Sequence, residues 1–167
     1  MSSILKVDEI QNTGGTSALT IQSSGAVKKP NLPYLYADLY NGSSAGYDAH
    51  ANQTPVQFRR VISSSGGITL NTSTYTFTVP LIGIYQINYQ LLIQTAANLD
   101  FSIAPSQGNE VFRSYRYNER GIAASLAIPL NANDTFQLRN TSGASHNIHR
   151  NTNATDRYSS LSVYLIS

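Results

Sequence analysis

Residues 77–93, Phe-Thr-Val-Pro-Leu-Ile-Gly-Ile-Tyr-Gln-Ile-Asn-Tyr-Gln-Leu-Leu-Ile, restrict what this chain can fold into more than any other stretch. From Tyr85 the apolar residues take every second position: Tyr85, Ile87, Tyr89, Leu91 and Ile93, with Gln86, Asn88 and Gln90 between them. A strand sends alternate side chains to opposite faces, so the stretch has one oily face and one amide face. A helical template gathers only Ile84, Ile87 and Leu91 on one stripe and scatters the tyrosines. Pro80 and Gly83 punctuate the approach, as in a turn that delivers the chain into a long strand. The expectation is the central strand of a β-sandwich.

Strand signals recur on both sides of it. Residues 34–40, 56–62, 74–79, 99–103, 111–117, 122–128, 135–138 and 161–165 read as further strands, separated by Gly, Asn, Ser and Pro. About nine strands with turns every 8–12 residues call for a sandwich or jelly roll. Residues 41–55 and 141–157 read as long polar loops. Residues 4–27 differ in kind, being short extended pieces joined by Gly turns at 12–15 and 23–25, and such pieces need copies of themselves or another surface to bury an apolar face. Lys28-Lys29-Pro30-Asn31-Leu32-Pro33 reads as a stiff linker, because Pro disfavours helix at its own and the preceding position. The predicted organisation is therefore a segment at 1–27, a linker at 28–33 and a β domain at 34–167.

Composition narrows the function. With 12% charged residues and a net charge of +2, the chain makes no case for nucleic acid or membrane binding. It has no cysteine, so neither disulfides nor thiolate chemistry enter. The N-terminus lacks the basic and apolar regions of a signal peptide, and no apolar run reaches the roughly 20 residues of a membrane span.

No catalytic constellation stands out. The acids are scattered singly, no serine sits in a G-x-S-x-G elbow, and no phosphate-binding glycine loop occurs. No cofactor is expected. His146 and His149 form the only close histidine pair, but no Asp, Glu or Cys lies near enough in sequence to complete a metal sphere, and they are read as part of a polar loop. Residues 113–120 interleave arginine and tyrosine in a manner that can serve single strands of nucleic acid. Glu110 and Glu119 flank them, and a strand with cross-strand ion pairs is the preferred account.

Two resemblances add to this. Phe77 with Gly83-Ile84-Tyr85-Gln86-Ile87 resembles the F…G-x-Y-x-F core motif of the complement one-q globular head, among the tumour necrosis factor-like jelly rolls. Residues 55–61 resemble that family's preceding strand. Residues 130–138, with Phe136 and Leu138, resemble its L…G-D-x-V-x-L element, and residues 158–165, with Leu161 and Val163, its closing strand. Ile87 stands where the motif has an aromatic residue, and Val163 where the closing strand has a small one. The resemblance implies an all-β, antiparallel jelly-roll sandwich of about nine to ten strands that assembles as a homotrimer with its N-termini together. Residues 4–21 resemble the opening of virion proteins of tailed phages, especially those of marine cyanobacteria.

Together the resemblances imply a non-enzymatic virion structural protein made in the host cytoplasm. Leu5, Val7, Ile10, Leu19 and Ile21 would form a short β anchor to other virion proteins. The trimeric head would serve host adsorption as a tail or head fibre, meeting a host-surface glycan or protein through Tyr47, His50, His146, His149 and Arg150 in loops at the end away from the N-termini. A capsid decoration protein is the alternative, and a lectin-like binding module outside any virus the second.

Overall fold

The computed structural model describes residues 7–15, 17–29, 31–40, 46–106, 108, 112–151 and 158–167. The chain divides into two compact units, one ending at Leu32 and one beginning at Pro33. No helix occurs among the described residues.

The first unit is a three-stranded antiparallel sheet of β1 (Glu9–Gln11), β2 (Ser17–Ile21) and β3 (Val27–Lys28), with β2 in the middle. Asn12 starts its first turn: the Gly14 amide donates to Asn12 Oδ1 at 2.9 Å and the Gly15 amide to the Asn12 carbonyl at 3.0 Å. None of the described side chains of this unit is buried. Leu5, expected in the apolar set, lies outside the described residues.

The second unit holds β4 (Tyr34–Asp38), β5 (Tyr47–His50), β6 (Arg60–Ser65), β7 (Thr69–Asn71), β8 (Thr76–Thr78), β9 (Gly83–Pro105), β10 (Phe112–Leu130), β11 (Thr135–Asn140), β12 (His146–His149) and β13 (Ser160–Leu165). One layer has the order β6-β4-β13-β9, and the other β7-β8-β11-β9, with β10 lying along β9 through both. The 23-residue β9 belongs to both layers because β13 pairs with its first half (Tyr85 to Gln90) and β11 with its second (Phe101 to Pro105). The result is an antiparallel jelly-roll sandwich.

The alternation that begins at Tyr85 sets the core. Tyr85, Ile87, Tyr89, Leu91 and Ile93 are all buried, and the same parity continues at Leu99, Phe101 and Ile103 in the other layer. Between them the hairpin of β9 and β10 is exposed on both faces, and its register shifts between Arg116 and Gly121 as the ribbon passes from layer to layer. Phe77 stacks on Phe136 at 5.0 Å and meets Phe58 edge-on at 5.8 Å. Each such fully buried ring contributes on the order of 1.5–3 kcal/mol through its area alone. Leu138, Leu161 and Val163 complete the layer contacts and are likewise buried. The Tyr85 hydroxyl leaves the core at its edge and donates to the Leu81 carbonyl at 2.8 Å. Gly83 is required by close approach, since a Cβ there would overlap the Ser167 carbonyl oxygen and the Leu165 side chain.

Three expectations are corrected. Residues 85–93 and 99–103 are one strand, as are 112–117 and 122–128, because the hairpin bends without breaking. The strand expected at 56–62 starts only at Arg60: Val56 and Phe58 alternate and are buried, but Pro55 precedes them and the Phe58 amide folds back on the Val56 carbonyl at 3.0 Å. The polar segments at 41–55 and 141–157 contain strands β5 and β12, which pair with each other. The Asn41–Gly42 turn and residues 152–157 lie outside the described residues.

Candidate functional site

β4 runs from Tyr34 to Asp38, and Ser160 at the start of β13 lies opposite Asp38. The chain thus enters β13 at the end of the head farthest from Tyr34. The β5–β12 ribbon is at this same end, tied to β9 by the Ile148–Ile93 pair. Its register sets His146 opposite His50 and His149 opposite Tyr47.

Period two then sorts the candidate residues onto opposite faces. His50 and His146 point inward and are only 1% and 6% exposed. Tyr47 and His149, of the other parity, are half-buried and reach the surface, and Arg150, which follows the end of β12, is half-buried as well. The reading of all five as exposed loop residues is corrected, because a strand pair cannot present both parities to solvent. The same geometry separates His146 from His149, so the two imidazoles do not share a ligand. Among the described residues no group of three or more His, Asp or Glu side chains is placed to hold a metal ion.

A buried polar base supports this end. Asn140, fully buried, donates from Nδ2 to the carbonyls of His50 and Ala144, both at 2.8 Å, while its Oδ1 accepts from the Ser142 amide and hydroxyl. His146 Nε2 meets Ser142 Oγ at 2.7 Å. His50 Nδ1 lies 3.3 Å from the Pro55 carbonyl, which requires the proton on that nitrogen. Burial lowers the pKa of both imidazoles below 6.5 and keeps them neutral. A second base is built on Asp38, which accepts from Arg60 (Nε at 3.0 Å, and Nη2) and from Asn151 Nδ2 at 2.8 Å. Asn151 in turn accepts the Tyr158 amide at 2.8 Å. These bonds fix the chain on either side of residues 152–157.

On this base stands an aromatic row. His149 packs against Tyr47 at 4.8 Å and against Tyr158 at 4.4 Å. Its Nδ1 donates to the Arg150 carbonyl at 2.7 Å, which orients the ring. Asp48 binds Arg59 at 2.5 Å and Arg150 at 3.4 Å. Gly46 lacks the side chain that would collide with the Arg150 guanidinium. Beside Tyr158, which is 43% exposed, runs an open groove of about 670 Å³ lined by Leu92, Arg116, Glu119 and Gly121. Tyr115 and Tyr117 are exposed on the bending hairpin. Arg113, in the run considered for nucleic acid, forms a cross-strand ion pair with Asp100.

A second surface differs in chemistry. The outward face of the β4-β13-β9-β10 layer carries Tyr36, Ser162, Asn88 and Ser125 in one row. Ser125 Oγ donates to Asn88 Oδ1 at 2.7 Å, and Gln86 Nε2 to Ser125 Oγ at 2.8 Å. With Gln90, Ala123 and Ser160 these residues line a shallow groove of about 500 Å³ that holds no charged side chain.

Tyr158, Asp48, Arg59 and Asn151 were not marked by the sequence. Tyr158 and Asn151 flank a polar segment with no periodicity, and the Asp48–Arg59 contact joins β5 to the stretch before β6, which no local pattern reveals.

No family model matches the chain, and no curated protein matches it. The fold, by contrast, has clear counterparts among solved structures. The head is similar to the Eiger tumour necrosis factor of S. frugiperda, with TM-score 0.59 and 15% identity over 81% of this chain and 94% of that one. Murine APRIL gives TM-score 0.61 and 15% identity over 80% and 98% of the two chains. The globular domain of zebrafish complement 1qA gives 0.57 and 14% over 81% and 98%. The fold is therefore the jelly roll of tumour necrosis factor and complement heads. These counterparts overturn the virion reading: they are heads of animal proteins, and none of them is a tail fibre, head fibre, capsid decoration or other phage protein. The phage resemblance of residues 4–21 rested on a short, glycine-rich motif and finds no match of its own.

Proposed function

We propose that the protein is a non-enzymatic, homotrimeric recognition module of lectin-like character that binds a glycan or protein surface through the end of the head remote from Tyr34. The observation that carries this is the aromatic row Tyr47–His149–Tyr158, held at that end by buried Asn151 and flanked by the Asp48–Arg59–Arg150 ion cluster. Rings with fixed orientation and a polar edge bind sugar faces and protein side chains at low entropic cost. The groove beside Tyr158 supplies Arg116 and Glu119 as hydrogen-bonding partners for hydroxyl or amide groups. Trimerisation is supported by the uncharged, tyrosine-bearing outward face, which suits a contact between copies better than exposure to solvent. Three heads side by side would turn weak contacts into useful avidity.

The test is a glycan array probed with the wild-type chain and with Tyr158→Ala. Tyr158→Ala should reduce binding about tenfold or more, as for a centrally placed aromatic contact. Its stability should stay within about 0.5 kcal/mol of wild type, because the ring is exposed. Binding that is unaffected by both Tyr158→Ala and Tyr47→Ala would remove the site. Light scattering that returns the monomer mass of 18.2 kDa would remove the trimer.

A further inference from the structure

The three-stranded sheet at the start of the chain has two unlike faces and two unlike edges. Ile10 lies opposite Leu19, and Ile21 opposite Val27. Alternation along β2 places Leu19 and Ile21 on the same side, so Ile10, Leu19, Ile21 and Val27 form one apolar face. Glu9, Ala18, Thr20 and Lys28 occupy the other, with Glu9, Thr20 and Lys28 in one row. The apolar face is open: Ile10 is 47% and Val27 59% exposed. The edges are opposite in charge. β1 carries Glu9 on one margin, with Asp8 just before it, and β3 carries Lys28 on the other, with Lys29 just after it, all of them exposed.

We propose that this sheet is one wall of a three-walled closed assembly, in which its occupants are two further copies of the same chain. The apolar faces turn inward, and the acidic margin of each copy adjoins the basic margin of the next. This rests on the trimeric reading above and adds to it a second, independent contact. A sheet with no buried side chain cannot hold itself together by packing, and a lone small sheet is marginal in water. An unlike pair of edges makes a head-to-tail contact, and a head-to-tail contact that closes generates a ring. Like margins repel when two copies meet in the wrong sense, so the same charges exclude a two-fold sandwich of the acidic edges.

The chain's lysines are Lys6, Lys28 and Lys29, so zero-length carbodiimide coupling of amines to carboxylates reports on this unit. The full-length protein, co-refolded from equal parts of ¹⁴N and ¹⁵N chains, would be coupled and mapped by mass spectrometry. The expected result is Lys28 or Lys29 joined to Asp8 or Glu9 in mixed-isotope pairs, with products ending at three chains. Leu19→Glu keeps every coupling group but charges the apolar face, and should lower these interchain links at least tenfold. Ala18→Glu, one residue away on the opposite face, should leave them unchanged. An intrachain Glu9–Lys28 link, formed across Thr20, reports that the sheet itself persists in Leu19→Glu. Trimers by light scattering without interchain links in the wild type, or links that survive Leu19→Glu, would overturn the inference while sparing the trimeric reading. A monomeric wild-type chain would overturn the reading itself.

Discussion

The two units reach order by opposite routes. The head encloses its own core, a continuous cluster from Leu35 to Val163 that includes Phe58, Phe77, Phe101 and Phe136. The N-terminal sheet has turns, registers and a segregated apolar face, yet buries nothing. Both obey the period-two rule, so patterning alone does not make a stable domain. The head has enough chain to fold one layer over another, whereas the sheet has one layer and must borrow its second. Loss of a core side chain should therefore unfold the head, and the sheet should respond to assembly alone.

The largest effect expected is that of Phe77→Ala. Phe77 is fully buried between Phe58 and Phe136, and the cavity left by truncating such a ring costs about 3–5 kcal/mol. Chemical denaturation should show this loss in the head's transition. A loss below about 1 kcal/mol would mean that the head's core is as open as the N-terminal sheet, and the contrast would collapse.

Next comes Asn140→Ala, at about 1–3 kcal/mol, because the buried His50 carbonyl would lose its side-chain donor, the Ser142 amide its acceptor, and the Ala144 carbonyl all but the longer bond from Ser142 Oγ at 3.2 Å. The same buried base decides what alanine does at the far end. His149→Ala removes a partly exposed ring, whereas His146→Ala opens a buried site against Ser142 and Phe101 and should destabilise measurably. The sequence left this unseen. His146-Asn147-Ile148-His149 and Tyr47-Asp48-Ala49-His50 are strands whose inward positions hold histidines rather than β-branched residues, so a hydrophobicity pattern passes over them. Tyr85 to Ile93 was legible because its inward positions are all apolar. Phe77, Gly83, Phe136 and Leu138 were reachable through the resemblance to the complement head motif, and the structure supplies the reason for each: a ring stack for the two phenylalanines, a close approach for Gly83 and burial in the core for Leu138. What no sequence pattern carries is register. The Tyr47–His149 contact exists only because β5 runs antiparallel to β12 with His50 opposite His146, and the Asp48–Arg59 pair ties β5 to the stretch before β6.

Acid should weaken the head by a smaller amount. Burial holds the folded-state pKa of His50 and His146 below the unfolded value of 6.5; for His50 the Pro55 carbonyl and Asp48 oppose the shift and Arg59 adds to it, and for His146 the Asn98 backbone opposes it. Below pH 6.5 the unfolded chain takes up protons that the folded head does not, so stability falls as pH drops from 6.5 toward the lowered pKa values and is unaffected above. Denaturation midpoints at pH 7.5 and 5.5 test this. His50→Gln combined with His146→Gln should flatten the difference, and an unchanged pH dependence in that variant would assign it to other groups.

The smallest effect expected is that of deleting residues 1–27. Every residue of the head's core lies at or beyond Leu35, so the deletion removes none of it. At high dilution the truncated and complete chains should melt within about 0.5 kcal/mol of each other, roughly 1–2 °C for a domain of this size. The two should part as protein concentration rises. If the N-terminal sheets bind one another, they add a contact that exists only in the assembled state, and anything that binds only the folded form raises apparent stability by mass action. The complete chain would then respond more strongly to dilution, its midpoint falling more per tenfold decrease in concentration than that of the truncated chain. Equal slopes would mean that the N-terminal sheet contributes nothing to assembly, and its exposed apolar face would need another occupant. A large drop at every concentration would mean that the head depends on residues 1–27 for its own fold, and the two units would no longer stand as one self-sufficient and one dependent.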